Sequence, residues 1–300
     1  MQALALMGAT GSGKSKLAMQ LAQACNTSIL CCDSMQVYRG LDIGTAKPTP
    51  DEQRLVRHGL VDCCDLPDHY SAARWADEAA VWIAEENGQG RTPLIVGGTG
   101  LYLRALLQGF ADIPPEDAGV RAQLSLELEQ QGTPYMHSLL SGCDPITATR
   151  LKANDTQRIL RALGVQRTTG RPLSEWQLGE TKPRNIDCPI FVLEVARDVL
   201  RERIANRFYD MLETGWLAEV RWLDSLGLAD DHPALRAVGY RQLLDHLHGR
   251  LGYKQAVSDG ITATRRYAKR QHTWFLHQTP DAVHGDAETL ETQIMEAMSK

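Results

Sequence analysis

The sequence lacks the features of membrane-bound and secreted proteins. No stretch of eighteen apolar residues occurs among its 300 residues, so we predict that no segment spans a membrane. The N-terminus carries no basic segment, and its apolar run from Ala3 to Met7 is too short for a secretion signal. These absences predict a cytoplasmic protein.

Cysteine spacing and net charge exclude two further classes. The seven cysteines contain no C-x-x-C pair and no Cys/His cluster with the spacing of a zinc site, so we predict buried thiols in a reducing compartment. A net charge of −5 excludes a uniformly basic surface. A nucleic-acid partner would therefore need a local positive face.

A phosphate-binding loop follows the first predicted strand. The apolar run Ala3–Met7 leads into GATGSGKS, a complete Walker A motif, and apolar residues then recur at helical spacing from Leu17 to Ala24. Loop amides and a helix N-terminus favour a phosphate group, and Lys14 adds a full charge. The predicted phosphate-binding residues are Gly8, Ala9, Thr10, Gly11, Ser12, Gly13, Lys14 and Ser15, with the Ser15 hydroxyl as the predicted Mg²⁺ ligand.

The acidic residue that ATP-using P-loop enzymes usually place after a second strand is missing. The best candidate strand, residues 93–96, continues into GGTG at residues 97–100, which holds no carboxylate. This absence disfavours phosphoryl transfer. It suits a ligand whose diphosphate is a leaving group.

Asp33 is the candidate catalytic carboxylate. It follows the predicted strand 28–32, at the edge where open α/β sheets bind ligands. A carboxylate there can act as a general base or can support a magnesium ion. A turn or helix-capping role is the alternative for an Asp before a Ser. The neighbouring phosphate loop favours a functional role.

Six sequence blocks in one collinear order carry a resemblance to a known family. They are DSMQVYRGLDIGTAKP at 33–48, YSAA at 70–73, GGTGLY at 97–102, NDTQR at 154–158, VGYRQ at 238–242 and ATRRYAKRQHTW at 263–274. Together they span nearly the whole chain and resemble the tRNA dimethylallyltransferase family. Gly59 and Gly164 depart from the family pattern, at positions where members often have a His and an acidic residue.

The resemblance implies an activity and its partners. The implied reaction moves a dimethylallyl group from dimethylallyl diphosphate to the exocyclic amine of the adenosine 3′-adjacent to the anticodon. The implied acceptors are tRNAs that read codons starting with U, and the implied cofactor is Mg²⁺. We expect tRNA, through its anticodon stem-loop, and dimethylallyl diphosphate as partners of a monomer, without a membrane.

The resemblance also implies roles for individual residues. Asp33 would accept the amine proton, Thr99 would line the channel where donor and adenine meet, and Arg207 would clamp the diphosphate. Arg207 lies one helical turn from Arg203 and can share its face. The implied tRNA contacts are Asp33, Ser34, Met35, Gln36, Thr99, Arg121, Gln157, Arg158, Ile159, Leu160, Arg161, Arg236, Ala237, Val238, Gly239, Tyr240 and Arg241.

Two basic segments are candidate RNA-binding faces. Between Arg150 and Arg171 six basic residues accompany a single acid, and Gln157, Arg158 and Arg161 would share one helix face. The segment 265–274 combines four cations with aromatic rings. A solvated helix face is the ordinary alternative for either segment. Two such faces favour RNA whose unstacked bases are read by stacking and hydrogen bonding.

The predicted fold class is α/β: a P-loop NTPase-like parallel sheet flanked by helices, with an inserted all-helical domain and a helical C-terminal part. We predict a catalytic core from residues 1–111 and 188–300, and an inserted tRNA-binding domain from residues 112–187. Residues 190–195 are the predicted strand that returns to the sheet. The resemblance implies that the insertion moves to close over the anticodon stem-loop.

Three alternatives are distinguishable by experiment. A P-loop small-molecule or nucleoside kinase would explain the Walker A loop and Asp33, but it leaves the missing acid and the basic segments unexplained. A prenyltransferase for free adenine nucleotides would not need the basic faces. A non-catalytic RNA-binding regulator would not need a complete phosphate loop.

Overall fold

The computed structural model describes residues 1–111, 113–179, 181 and 183–299. The chain divides into two compact units: a core unit, Met1–Leu107 with Arg184–Lys300, and an insertion unit, Gln108–Pro183. Asp112, at which the insertion was predicted to begin, lies outside the described residues.

A six-stranded parallel sheet organises the core unit, and it confirms the predicted fold class. Its order is β3-β2-β4-β1-β5-β6, and every pairing is parallel. The strands are β1 Leu4–Gly8, β2 Ile29–Cys32, β3 His58–Gly59, β4 Leu94–Gly97, β5 Ile190–Leu193 and β6 Val283–Gly285. The sequence did not predict β3 and β6, which are short edge strands without a continuous apolar run.

Fourteen helices accompany the sheet in the described part of the chain. They are α1 Lys14–Ala24, α2 Pro50–Leu55, α3 Ala72–Gly88, α4 Gly100–Gln108, α5 Ala118–Cys143, α6 Pro145–Arg150, α7 Thr156–Thr169, α8 Leu173–Gln177, α9 Arg197–Glu213, α10 Trp216–Ser225, α11 Pro233–Arg236, α12 Tyr240–Leu247, α13 Tyr253–Gln278 and α14 Ala287–Met298. None of these helices is long and apolar enough to cross a membrane.

The core of the sheet explains why the central strands are continuous apolar runs. Strands β1, β2 and β4 are buried along their whole length, as expected when both faces of a parallel sheet are covered. Leu6 and Leu94 pack with Leu17 and Leu21 of α1 and with Leu290 of α14. This packing fixes α1 directly behind the loop that follows β1.

The insertion unit has a hydrophobic core of its own. Leu124, Met136 and Leu140 of α5 pack against Ile159 and Leu163 of α7. In the core unit, the Arg184 guanidinium donates to the Ala105 carbonyl oxygen (3.2 Å). This hydrogen bond joins the end of α4 to the segment that follows the insertion unit. The chain just before the insertion and the chain just after it are therefore linked within the core unit.

Candidate active site

Three loops leave the carboxyl ends of adjacent strands and meet at one edge of the sheet. They follow β1, β2 and β4, which are neighbours in the sheet order. The Thr99 N–H donates to the Cys32 carbonyl oxygen (3.2 Å), and the Ser34 N–H donates to Thr99 Oγ1 (3.1 Å). Thr99 is thereby held against the loop that begins at Asp33. This edge is where open α/β sheets bind their ligands.

The loop after β1 presents free donors to an anion. Helix α1 begins at Lys14 with no side-chain cap and no acidic residue in its first turn. The first N–H groups of such a helix have no partner within the helix and attract negative charge. The Ser15 side chain is exposed, and the Lys14 ammonium has one described hydrogen bond, to the Ala9 carbonyl oxygen (3.4 Å).

Arg207 of α9 reaches the same site, beside Lys14 and Asp33. Burial, followed by the charge of Arg207, lowers the pKa of Lys14 to about 8, although Asp33 opposes the shift. Burial also lowers the pKa of Arg207, and Asp33 again opposes. Among the described residues neither cation forms an ion pair with a carboxylate. Two adjacent positive charges that no carboxylate pairs with directly form a site that favours an anion.

Asp33 has the turn role that the sequence left open as an alternative, and one of its two oxygens takes part in it. Its Oδ1 accepts the N–H groups of Met35 (2.9 Å) and Gln36 (3.4 Å), which is the geometry of a turn. Its Oδ2 accepts no hydrogen bond from the described residues. One oxygen therefore shapes the loop, while the other remains available to a ligand beside Lys14.

A face of α13 holds the loops of β1 and β4 together. Gln271 is buried; its Oε1 accepts the Thr10 N–H (2.8 Å), and its Nε2 donates to the Gly98 carbonyl oxygen (2.9 Å). A Cβ at Gly98 would lie 2.2 Å from that Nε2, so this approach requires glycine. Sequence reasoning missed Gln271. The signal was present as inward-facing positions 267, 271 and 274 at helical spacing.

Two aromatic residues of the segment 265–274 reach the loop after β4. The Tyr267 hydroxyl lies near Thr99, and burial, followed by the charge of Asp33, raises its pKa. Trp274 packs on Gly100, where a Cβ would meet the indole ring at 2.2 Å. The predicted mixture of cations and stacking rings is therefore corrected in part: Arg266, Lys269, Arg270 and His272 are exposed, whereas Arg265 is half-buried and donates to the Arg201 carbonyl oxygen (3.0 Å). Tyr267 and Trp274 contact the loop after β4, and the Arg270 guanidinium lies 5.6 Å from the centre of the Tyr267 ring.

The loop from Asp33 to Lys47 is held by its own side chains. Gln36 Nε2 donates to the carbonyl oxygens of Thr45 (3.0 Å) and Ala46 (3.1 Å). The buried Lys47 ammonium donates to the Tyr38 carbonyl oxygen and to two carboxylates, those of Asp42 (2.6 Å) and Asp62 (2.5 Å). Ser34, Met35 and Gln36 remain partly exposed.

In the insertion unit, three of the six implied RNA contacts lie on the exposed face of α7. Gln157, Arg158 and Arg161 are exposed, in agreement with their predicted common face, and Leu160 is half-buried. Ile159 is buried in the unit's core, so its side chain is not available to RNA. Arg158 pairs with Asp155 (2.5 Å), and Arg121 lies 3.4 Å from Glu116.

The implied contacts at residues 236–241 divide in the same way. Arg236 and Arg241 are exposed, and Ala237 and Val238 are half-buried. Gly239 and Tyr240 are buried, and the Tyr240 hydroxyl donates to Glu219 (2.5 Å). The Tyr240 side chain therefore contributes to packing inside the core unit, while its two arginine neighbours face solvent.

The donor set suits a magnesium ion that brings most of its own ligands. Ser15 offers an exposed hydroxyl at the start of α1, as in other phosphate loops. No group of three or more His, Cys, Asp or Glu side chains in the described part of the chain could hold a metal ion. Mg²⁺ is often bound through few protein groups, with substrate phosphates and water completing its shell.

Comparison with known proteins finds relatives that match nearly the whole chain. The family model described as IPP transferase matches residues 36–278. The tRNA dimethylallyltransferase of Azorhizobium caulinodans is 44% identical over 294 residues, which cover 97% of this chain and 94% of that protein.

Two solved structures extend the likeness to three dimensions. The full-length tRNA isopentenylpyrophosphate transferase from Bacillus halodurans is 34% identical with a TM-score of 0.69, covering 99% of this chain and 95% of that one. A eukaryotic dimethylallyltransferase acting on tRNA is 28% identical with a TM-score of 0.77, covering 95% and 74%.

Proposed function

The chain belongs to the IPP transferase family, and from this premise we propose that it transfers a dimethylallyl group from dimethylallyl diphosphate to an adenosine of tRNA. The proposed acceptor atom is the exocyclic amine of the adenosine 3′-adjacent to the anticodon, in tRNAs that read codons starting with U. The proposed location of this reaction is the cytoplasm.

The observation that carries the proposal is the pair of cations beside the phosphate loop. Lys14 and Arg207 lie together without a carboxylate partner among the described residues, next to the free amides of α1. A departing diphosphate develops negative charge at this point, and fixed donors stabilise it without reorganisation. The residues proposed to hold the diphosphate are those of Gly8–Ser15 together with Arg207. Within this loop the Thr10 N–H is already taken by Gln271.

The proposed chemistry is a substitution at the allylic carbon. The adenine amine nitrogen forms a bond to that carbon, the bond from carbon to the diphosphate oxygen breaks, and the diphosphate leaves with the electron pair. The Asp33 carboxylate accepts the amine proton through the oxygen that the turn leaves free. Thr99, hydrogen-bonded to the Asp33 loop and close to Tyr267, lines the space in which amine and donor meet.

Magnesium is the proposed cofactor, with the Ser15 hydroxyl as its protein ligand. When bound, it would neutralise charge on the diphosphate. Substrate positioning and proton transfer are assigned to this chain's own residues. An adenine amine is a weak nucleophile, so positioning of amine and donor contributes most of the rate and Asp33 contributes less.

The RNA contacts are proposed for each unit separately. In the insertion unit we propose Arg121 and the exposed face of α7 as phosphate and base contacts. In the core unit we propose residues 34–36, Arg236 and Arg241. For Ile159 and Tyr240, whose side chains are buried, any contact is through the backbone.

A kinase remains the alternative that the phosphate loop alone would allow. No observation favours it, because β4 ends at Gly97 and runs into a glycine loop pressed against Gln271 and Trp274. An acidic magnesium ligand is therefore absent from the end of that strand.

Label transfer tests the proposal. Purified protein, Mg²⁺ and radiolabelled dimethylallyl diphosphate are mixed with unmodified tRNA that carries adenosine next to its anticodon. We expect label in the tRNA, and its loss when that adenosine is replaced by guanosine. A matched incubation with radiolabelled ATP and small acceptors measures phosphoryl transfer. ATP consumption without labelled tRNA would overturn the proposal and establish the kinase.

A further inference from the structure

Glu219 on α10 holds a turn of the loop that begins at Asp33. Its carboxylate accepts three consecutive backbone N–H groups: those of Asp42 (2.8 Å) and Ile43 (2.7 Å) at Oε2, and that of Gly44 (3.0 Å) at Oε1. Successive N–H groups that converge in this way form an anion-binding concavity, and here a side chain of the same protein occupies it. The hydrogen bonds are charge-assisted, which makes each stronger than a neutral one.

A second residue fixes the carboxylate itself. The Tyr240 hydroxyl donates to Glu219 Oε1 (2.5 Å), and burial followed by the charge of Glu219 raises the pKa of that hydroxyl well above its usual value. Tyr240 therefore stays protonated and remains a donor at neutral pH. The carboxylate accepts four described hydrogen bonds, three from the turn at residues 42–44 and one from α12.

The same turn is connected to the candidate active site from its other side. Its carbonyl oxygens at Thr45 and Ala46 accept from Gln36 Nε2, and the Gln36 N–H points to Asp33 Oδ1 (3.4 Å). A continuous series of hydrogen bonds thus runs from Glu219 through the turn and Gln36 to Asp33. No member of this series contacts the phosphate loop among the described hydrogen bonds.

We propose that Glu219, fixed by Tyr240, is a positioning residue for the acceptor side of the reaction. It sets the turn at residues 42–46, and through Gln36 it sets the orientation of the Asp33 carboxylate. This inference rests on the proposed function. Without the Glu219 carboxylate, three N–H groups lose a charged acceptor. The turn then keeps its internal hydrogen bonds and its contacts with Gln36 and Lys47, but nothing among the described hydrogen bonds holds it to α10.

The test separates acceptor use from donor use. Glu219→Gln keeps one accepting oxygen but presents an NH₂ group to N–H donors, and Tyr240→Phe removes only the fixing hydroxyl. We expect kcat/KM for tRNA to fall about 10- to 100-fold in Glu219→Gln and less in Tyr240→Phe, because hydrogen bonds to charged groups are lost. The KM for dimethylallyl diphosphate should stay within about twofold, because the cations of the donor site are untouched.

Amide hydrogen exchange supplies a readout that does not depend on activity. We expect faster exchange at residues 42–44 in both variants and unchanged exchange in the phosphate loop. Asp224→Ala is the matched control, since Asp224 lies on the same helix and pairs with His248 (2.9 Å) away from the turn. Its exchange and its kinetics should equal those of the unchanged protein.

Three outcomes would overturn the inference. Exchange at residues 42–44 could stay as slow as before, kcat/KM for tRNA could stay unchanged, or donor KM could rise as much as tRNA KM. The last outcome would indicate general loosening of the fold. If the unchanged protein transfers no prenyl group, the proposed function fails instead, and the exchange data still decide whether Glu219 anchors the turn.

Discussion

The two loops that flank the candidate active site are built on opposite principles. The phosphate loop leaves its groups unsatisfied: free amides at the start of α1, and two cations without a carboxylate partner among the described residues. In the loop from Asp33 to Lys47, by contrast, Gln36, Lys47 and Glu219 hold backbone groups from within the protein. A site binds an anion more strongly when its cations have no other partner. A group that orients a nucleophile works better when it is held rigidly.

Asp33→Asn tests the acceptor loop at its catalytic end and should have the largest effect. An Asn oxygen can still accept the N–H groups of Met35 and Gln36, so the turn is kept, but the side chain cannot take a proton. We expect kcat to fall by about 10²- to 10⁴-fold with little change in donor KM. Asp65→Asn, at an exposed pair with Arg39, is the control. Undiminished turnover in Asp33→Asn would leave the carboxylate with a turn role alone.

Lys14→Met tests the donor loop and should raise donor KM by about 10- to 100-fold, because a charged contact to the diphosphate is lost. It should also raise the melting temperature slightly, because folding holds a charged lysine where its pKa is lowered to about 8. Calorimetry and steady-state kinetics measure the two effects. Lys16→Met, an exposed neighbour on α1, should change neither. Loss of tRNA affinity at unchanged donor KM would contradict the assignment.

Donor binding should weaken as pH rises through about 8, because Lys14 then loses its charge in the free protein. We expect donor KM to increase about tenfold between roughly pH 7 and pH 9. Stability should change in the opposite direction. Between the lowered pKa of Lys14 and its ordinary pKa of 10.5, the unfolded chain binds the extra proton, so this residue's contribution to stability rises with pH.

Lys14→Met provides the check for that pH dependence. In the variant the slope in donor KM should disappear, and the slope in stability should lose the contribution of Lys14 over the same interval. A slope in donor KM that persists without Lys14 would assign the titration to another group.

Gln271→Glu should have the smallest effect, since it tests the contact between the loops of β1 and β4. The carboxylate still accepts the Thr10 N–H but has no donor for the Gly98 carbonyl oxygen. We expect kcat to fall about three- to tenfold, and more in Gln271→Met, which loses both bonds. Gln278→Met, at the exposed end of the same helix, is the control. Lower tRNA affinity at unchanged kcat would instead make Gln271 an RNA contact.

Local patterns in the sequence were sufficient to predict the central strands of the sheet. The strands β1, β2, β4 and β5 lie within or one residue beyond their apolar runs, because a strand covered on both faces must be apolar throughout. The Walker A loop and the position of Asp33 at a strand end followed from the same reasoning. The same reasoning missed strands β3 and β6, because two or three residues at an edge carry no such pattern.

The details of the site depend on partners distant in the chain. Gln271 bonds to Thr10 and Gly98, which are 261 and 173 residues away, and Glu219 bonds to a turn 175 to 177 residues away. A polar residue on a helix gives no sign of such partners. Family resemblance marked Ile159 and Tyr240 as RNA contacts, but only packing shows that both side chains are buried.

The hydrogen bond from Arg184 to the Ala105 carbonyl oxygen has a consequence for how this architecture can vary. It holds the chain just before the insertion unit next to the chain just after it, whatever segment lies between them. We therefore expect that the helices of the insertion unit can be lengthened, shortened or replaced while the sheet and its phosphate loop persist. A short linker that joins Leu107 to Arg184 should therefore be enough to connect the two parts of the core unit without the insertion unit.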